Sequence, residues 1–156
     1  MSKELLKLPL CTFAAGIILR TADYITARLL LRDTTEWTFE MGTIAFYVRL
    51  FLSVALLVGI GLLLRKRYSR IIFIKSTTLL MFYSIVILAI EQIAQHFGSY
   101  NMGIHYLYAP VDMFTVITSI AARISGAERI NWLYAIPSLF APYLFLLFSK
   151  KSASED

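Results

Sequence analysis

The chain has 156 residues, one domain's worth, of which 58% are hydrophobic and only 16% charged, with a mean hydropathy of +0.69. Soluble domains carry about 45–50% apolar and about 25% charged residues, so this composition excludes a water-soluble globule and points to a polytopic membrane protein. The net charge of +5 is not a nucleic-acid signature, because Lys3, Lys7 and the basic residues of the 65–70 run are accounted for by membrane topology.

The first segment, 8–31, follows a short Lys-bearing start. Its uninterrupted apolar part ends at Leu19, and Arg20, Asp23 and Arg28 follow. A basic start before a short apolar run has the outline of a signal peptide, but Arg20 occupies the place where a small residue should precede a cleavage position at Ala22. The segment is therefore expected to stay as a helix with a polar outer half, running from the cytosol outward. Residues 32–40 form a short external connector with Trp37 at headgroup level.

The second segment, 42–64, orients all the others. It holds one charge, Arg49, and at about 1.5 Å per residue it crosses the roughly 30 Å hydrocarbon layer. It stops against Arg65, Lys66, Arg67 and Arg70, and cytosolic loops are rich in Lys and Arg. The N-terminus is then cytosolic, in a cytoplasmic (inner or plasma) membrane. The third segment, 71–96, is charge-free over 76–90 and ends in Glu91, Gln92, Gln95 and His96.

Segment 107–124 is ambiguous. Pro110 and Asp112 stand near its start and Arg123 near its end, so it reads either as a span or as an interfacial or re-entrant helix. After a polar break at 126–131, residues 132–148 carry no charge but contain Pro137 and Pro142, which membrane helices tolerate. The expected fold is an all-α polytopic membrane bundle of four spans (8–31, 42–64, 71–96, 132–148), five if 107–124 crosses, without a soluble domain.

The ionisable residues share a depth. Counted from the outer segment ends at 1.5 Å per residue, Arg49 falls at roughly 10 Å, Glu91 at roughly 8–9 Å, Asp23 at about 12 Å, Arg20 at about 16 Å and, if 107–124 crosses, Asp112 at about 7 Å. Charges in hydrocarbon cost at least about 2.5–3.5 kcal/mol each and so face the interior and pair. The basic turn at 65–70 makes the second and third helices neighbours, which predicts an Arg49–Glu91 pair. Arg20 and Asp23, three apart on one helix, form a second, leaving Asp112 as the odd carboxylate. This cluster reads either as ion pairs that fix helix register or as an ion or small-cation site open to the outside.

Glu91, Gln95, His96 and His105 lack a metal-ligand spacing, and no catalytic motif is present; no cofactor or metal is expected. Cys11, the one cysteine, excludes an intrachain disulfide. Small residues at Ala15/Gly16, Ala55/Gly59/Gly61 and Thr115/Ser119 suit close helix contact, within a protomer or between copies. Arg65, Lys66, Arg67 and Arg70 suit anionic lipid or an acidic cytosolic partner. These features lead to the expectation of a non-enzymatic membrane subunit, homo-oligomeric, that senses or anchors and works through a partner protein. The alternative is a small oligomeric channel or transporter using the outer-half cluster. Lipid bilayer is the expected surrounding, and nucleic acid is not an expected partner.

Overall fold

A computed structural model describes residues 3–32, 34–66, 68–126 and 132–149, and every element among them is helical. Three helices are long and apolar enough to cross a membrane: α1 (Lys3–Leu30), α2 (Phe39–Arg65) and α3 (Arg70–His96). The protein is thus a membrane helix bundle, with no soluble domain among the described residues. Local chemistry sets the boundaries. Thr38 caps α2 by accepting from the Met41 amide, and Ser69 caps α3 by accepting from Ile72. At the far end of α3, Gly98 takes φ +64°, and the amides of Gly98 and Ser99 donate to the carbonyls of Gln95 and Ala94. That double bond closes the helix in a left-handed turn that glycine adopts without steric cost.

The three helices alternate in direction. One end of the bundle gathers the α1 C-terminus, the α2 N-terminus and the α3 C-terminus, and is called here the Trp37 end. At the opposite, Tyr68 end, the Tyr68 hydroxyl donates to the Glu4 carbonyl, and Ser76 donates to the Leu5 carbonyl at 3.1 Å. Burial, with Cys11 and Glu4 nearby, pushes the Tyr68 phenol above its ordinary value, so it remains a donor.

Segment 102–126 forms a hairpin. Its descending arm is α4 (Met102–Leu107), capped by Asn101, followed by a 3-10 stretch, Ala109–Phe114, with Pro110 in its first turn. Proline removes an amide and clashes with the preceding turn, so the chain bends there. The bend packs along α1: a Cβ on Gly16 would fall inside the van der Waals radius of the Ala109 carbonyl, so only glycine admits this approach. The returning arm, α5 (Thr115–Ile124), brings Arg123 over the ring of Phe46, 4.1 Å from its centroid, near the start of α2. Both arms therefore lie toward the Trp37 end. Gly126, at φ +63°, closes α5 as Gly98 closes α3.

The last segment, Trp132–Phe148, combines a 3-10 turn (Trp132–Ala135), a short helix α6 (Ile136–Phe140) and a second 3-10 stretch (Ala141–Phe148). Pro137 and Pro142 interrupt regular α bonding, which is why an unbroken helix does not form. The segment starts near Glu91 and Gln92 and ends with the Phe148 ring on Gly61 of α2. On the way Tyr143 shares a 2.9 Å hydrogen bond with Thr78.

The core occupies the Tyr68 half: Leu8, Leu19, Leu64, Tyr68, Phe73, Leu80 and Phe145 are buried together. α1 packs against both α2 and α3, and the Ala141–Phe148 stretch sits between the latter two. Consecutive helices α2 and α3 are therefore not close neighbours, contrary to the expectation drawn from their short connection.

Candidate ligand site

The charged residues meet at the hairpin bend. Asp112, with its side chain 4% exposed, is the centre of the network. Its Oδ2 accepts from Arg20 Nε at 2.8 Å, and its Oδ1 accepts from Arg49 Nη2 at 2.7 Å. Arg49 Nη1 donates to Asp23, and Arg49 Nη2 also donates to Thr115 Oγ1 at 3.1 Å. Thr115 in turn donates to the Asp112 carbonyl at 2.8 Å. Arg20 Nη2 donates to the His105 carbonyl at 2.6 Å, and its guanidinium lies 5.3 Å from the Tyr106 ring centroid. Two arginines and two aspartates from α1, α2 and the hairpin thus form one electrically balanced unit.

This arrangement corrects the expected pairing in three respects. Asp112 is not the odd carboxylate; it bridges both arginines, because the hairpin carries it down to their level. Arg20 pairs with Asp112 rather than with Asp23 on its own helix. Arg49 pairs with Asp23 and Asp112 rather than with Glu91, because α1 and the hairpin, not α3, lie on its side of α2. Glu91 accepts instead from the Tyr108 hydroxyl and from Gln95 Nε2 at 3.2 Å. Among the described residues no cation pairs with it. In the sequence Tyr108 stands with Tyr100 and Tyr106, a grouping that reads as an interfacial aromatic belt and does not point to Glu91. The one signal for its role is its place in a Tyr-rich stretch just before Pro110.

Between α3, the hairpin and the last segment lies a cavity of about 620 Å³. Arg49, Glu91, Gln92, Gln95, His105 and Asp112 line it, with the hydroxyl residues Ser84, Tyr108, Thr115, Thr118, Ser119 and Ser138, and Trp132. A second cavity, of about 610 Å³, lies on the other side of Arg49 and Ser119, between α1, α2 and α5, where Asp23, Trp37, Phe46 and Arg123 line it. The ion network and α5 form the wall between the two. Toward the Tyr68 end the lining residue Phe114 packs on buried Phe145, with ring centroids 6.1 Å apart, and buried Leu80 lies one turn from the lining residue Ser84.

The described residues contain no group of three or more His, Cys, Asp and Glu side chains that would hold a metal ion. At the opposite end Arg65, Lys66 and Arg70 are exposed around Tyr68; Arg67, also expected in this basic loop, lies outside the described residues, as do residues 127–131 of the polar break and the 150–156 tail. Of the small residues, Gly16 and Gly61 pack within the protomer, Thr115 and Ser119 line the cavity, and Ala55 and Gly59 lie on the exposed face of α2.

Comparison with protein-family models, curated proteins and solved structures finds no match to this chain.

Proposed function

We propose that this protein is a non-enzymatic membrane sensor that binds a small polar solute in the cavity beside Glu91 and works through a partner at the Tyr68 end. The observation that carries this reading is the polar-lined cavity backed by the apolar core. Ligand sites in proteins are concavities of about 300–1,000 Å³ with a few polar groups, and this one has the size and the groups. A pore through the protomer itself needs a continuous polar path, whereas Leu80, Phe114 and Phe145 pack together in the apolar core beyond the cavity.

The topology of this reading follows from charge. Lys7, Arg65, Lys66 and Arg70 gather at the Tyr68 end, which the positive-inside rule assigns to the cytosol of a cytoplasmic membrane, with the N-terminus. Segment 102–126 is then re-entrant from outside. The last segment is the fourth span: with about 2.0 Å rise per 3-10 residue and about 1.5 Å per α residue, it reaches about 31 Å, the thickness of the hydrocarbon layer. The exposed basic loop is the surface through which solute binding reaches an acidic partner or anionic lipid. Self-association through α2 belongs to the same reading, since Ala55 and Gly59 leave a face where another backbone approaches closely.

The test is a titration of the purified protein with small solutes while hydrogen exchange is followed over residues 64–72. Solute binding that alters exchange there supports a sensor; binding without any change there contradicts it. A second reading, a small transporter, is favoured by one observation: the hairpin is a broken helix beside charged groups, as in transporter sites. Uptake of a bound solute into proteoliposomes selects it over the sensor.

A further inference from the structure

The cavity wall carries an unbalanced charge, and that imbalance defines the ligand. Within the cavity, Arg49 and Asp112 belong to the network with Arg20 and Asp23, in which two positive and two negative groups offset one another. The charge of Arg49 is already offset by the carboxylates of Asp23 and Asp112, which its Nη atoms bond directly, so an incoming anion competes with both. Glu91 is different. A carboxylate offers about four lone-pair sites, and Glu91 uses one oxygen for Tyr108 and the other for Gln95. Acceptor capacity is left over, facing a cavity where no described residue supplies a cation to it.

From this we infer that the ligand carries an organic ammonium group, which docks against Glu91 with its body in the remainder of the cavity. The inference rests on the cavity being a ligand site. Three features favour an organic cation over a bare ion. The volume of about 620 Å³ far exceeds a single hydrated-ion site, given that one water occupies about 30 Å³. The described residues form no metal-ligand cluster. Trp132 and Tyr108 line the same space, and aromatic faces attract ammonium groups. The ammonium group belongs either to a free amine or to an amine-bearing lipid headgroup, since the chemistry at Glu91 is the same for both.

The experiment uses the full chain in maltoside micelles, which carry no cationic headgroup, titrated by calorimetry with three probes of matched size: phenethylamine, 2-phenylethanol and phenylacetate. The amine is expected to bind at least tenfold tighter than the alcohol, and the acid weakest. Glu91→Gln is expected to remove the preference for the amine while leaving the alcohol unchanged. Glu91→Asp, which keeps the charge, retains the preference at reduced affinity and guards against a variant that fails to fold. Repeating the amine titration in nanodiscs with and without phosphatidylethanolamine separates the sources: competition by the lipid identifies the headgroup, and equal affinity identifies a free amine. Equal binding of amine and alcohol, or a preference that survives Glu91→Gln, overturns the inference but leaves the cavity as a site for another class. Failure of all three probes, with no effect of the lipid, overturns both.

Discussion

The two halves of the bundle are held by different forces. Toward the Tyr68 end apolar packing dominates, with neutral hydrogen bonds such as Ser76 to the Leu5 carbonyl beside it: Phe73, Leu80 and Phe145 are fully or almost fully buried, and the Phe148 ring lies on Gly61. Toward the Trp37 end the centre is a charge network in which Asp112 joins Arg20 and Arg49, flanked by two cavities. In lipid there is no hydrophobic force between helices, so association relies on close packing and on polar groups that have no other partner. The first half uses packing around a buried apolar core. The second uses polar groups and encloses space, which is what a binding site requires.

Substitutions sharpen this contrast. The largest effect is expected from Asp112→Asn, which hardly changes volume but leaves Arg20 and Arg49 short of a counter-charge. Removing one partner of a buried ion pair costs about 3–5 kcal/mol, read as a lowered midpoint of unfolding in mixed micelles. A variant as stable as the wild type would show that the network adds nothing to the fold.

Gly16→Leu comes next. It pushes the Ala109 carbonyl, a backbone atom, off α1, and overpacking of this kind costs about 1–3 kcal/mol. Protease sensitivity is expected to rise in segment 102–126 and not in α3. Gly61→Ala meets only the ring of Phe148, which can turn aside, so about 1 kcal/mol is expected in the same unfolding assay. If Gly61→Ala proves costlier than Gly16→Leu, the packed half is the less adaptable of the two in a way the contrast does not allow. The smallest effect is expected from Tyr143→Phe, which deletes the hydrogen bond to Thr78; such bonds between membrane helices average about 0.6 kcal/mol.

The long helices were legible because charge-free runs and flanking charges report on lipid directly: segments 8–31, 42–64 and 71–96 lie within α1, α2 and α3 but for a residue at one boundary. The course of 107–124 was not legible, because hydropathy records how apolar a segment is and not where it turns. Pro110 beside Asp112 was the local sign of a bend, but its depth depends on Gly16, ninety-odd residues earlier. The five ionisable residues were identifiable from their depth, yet their partners were not. Chain adjacency pairs Arg49 with Glu91, but the last segment separates α2 from α3, so Arg49 meets Asp23 and Asp112 while Glu91 meets Tyr108 and Gln95. Non-local packing decides such partners, and it leaves no periodic trace in a single sequence.

The sidedness of the hairpin carries the whole account, since a segment that enters and returns is what puts Asp112 between the two arginines and hollows the space beside Glu91. In a Cys11→Ala background, single cysteines at Ser99, Ser125 and Ser149 report it through an impermeant thiol reagent applied to sealed, oriented vesicles. Labelling of positions 99 and 125 from one face of the membrane and of position 149 from the other is the predicted result. Labelling of 99 and 125 from opposite faces would make segment 102–126 a full crossing and contradict the account.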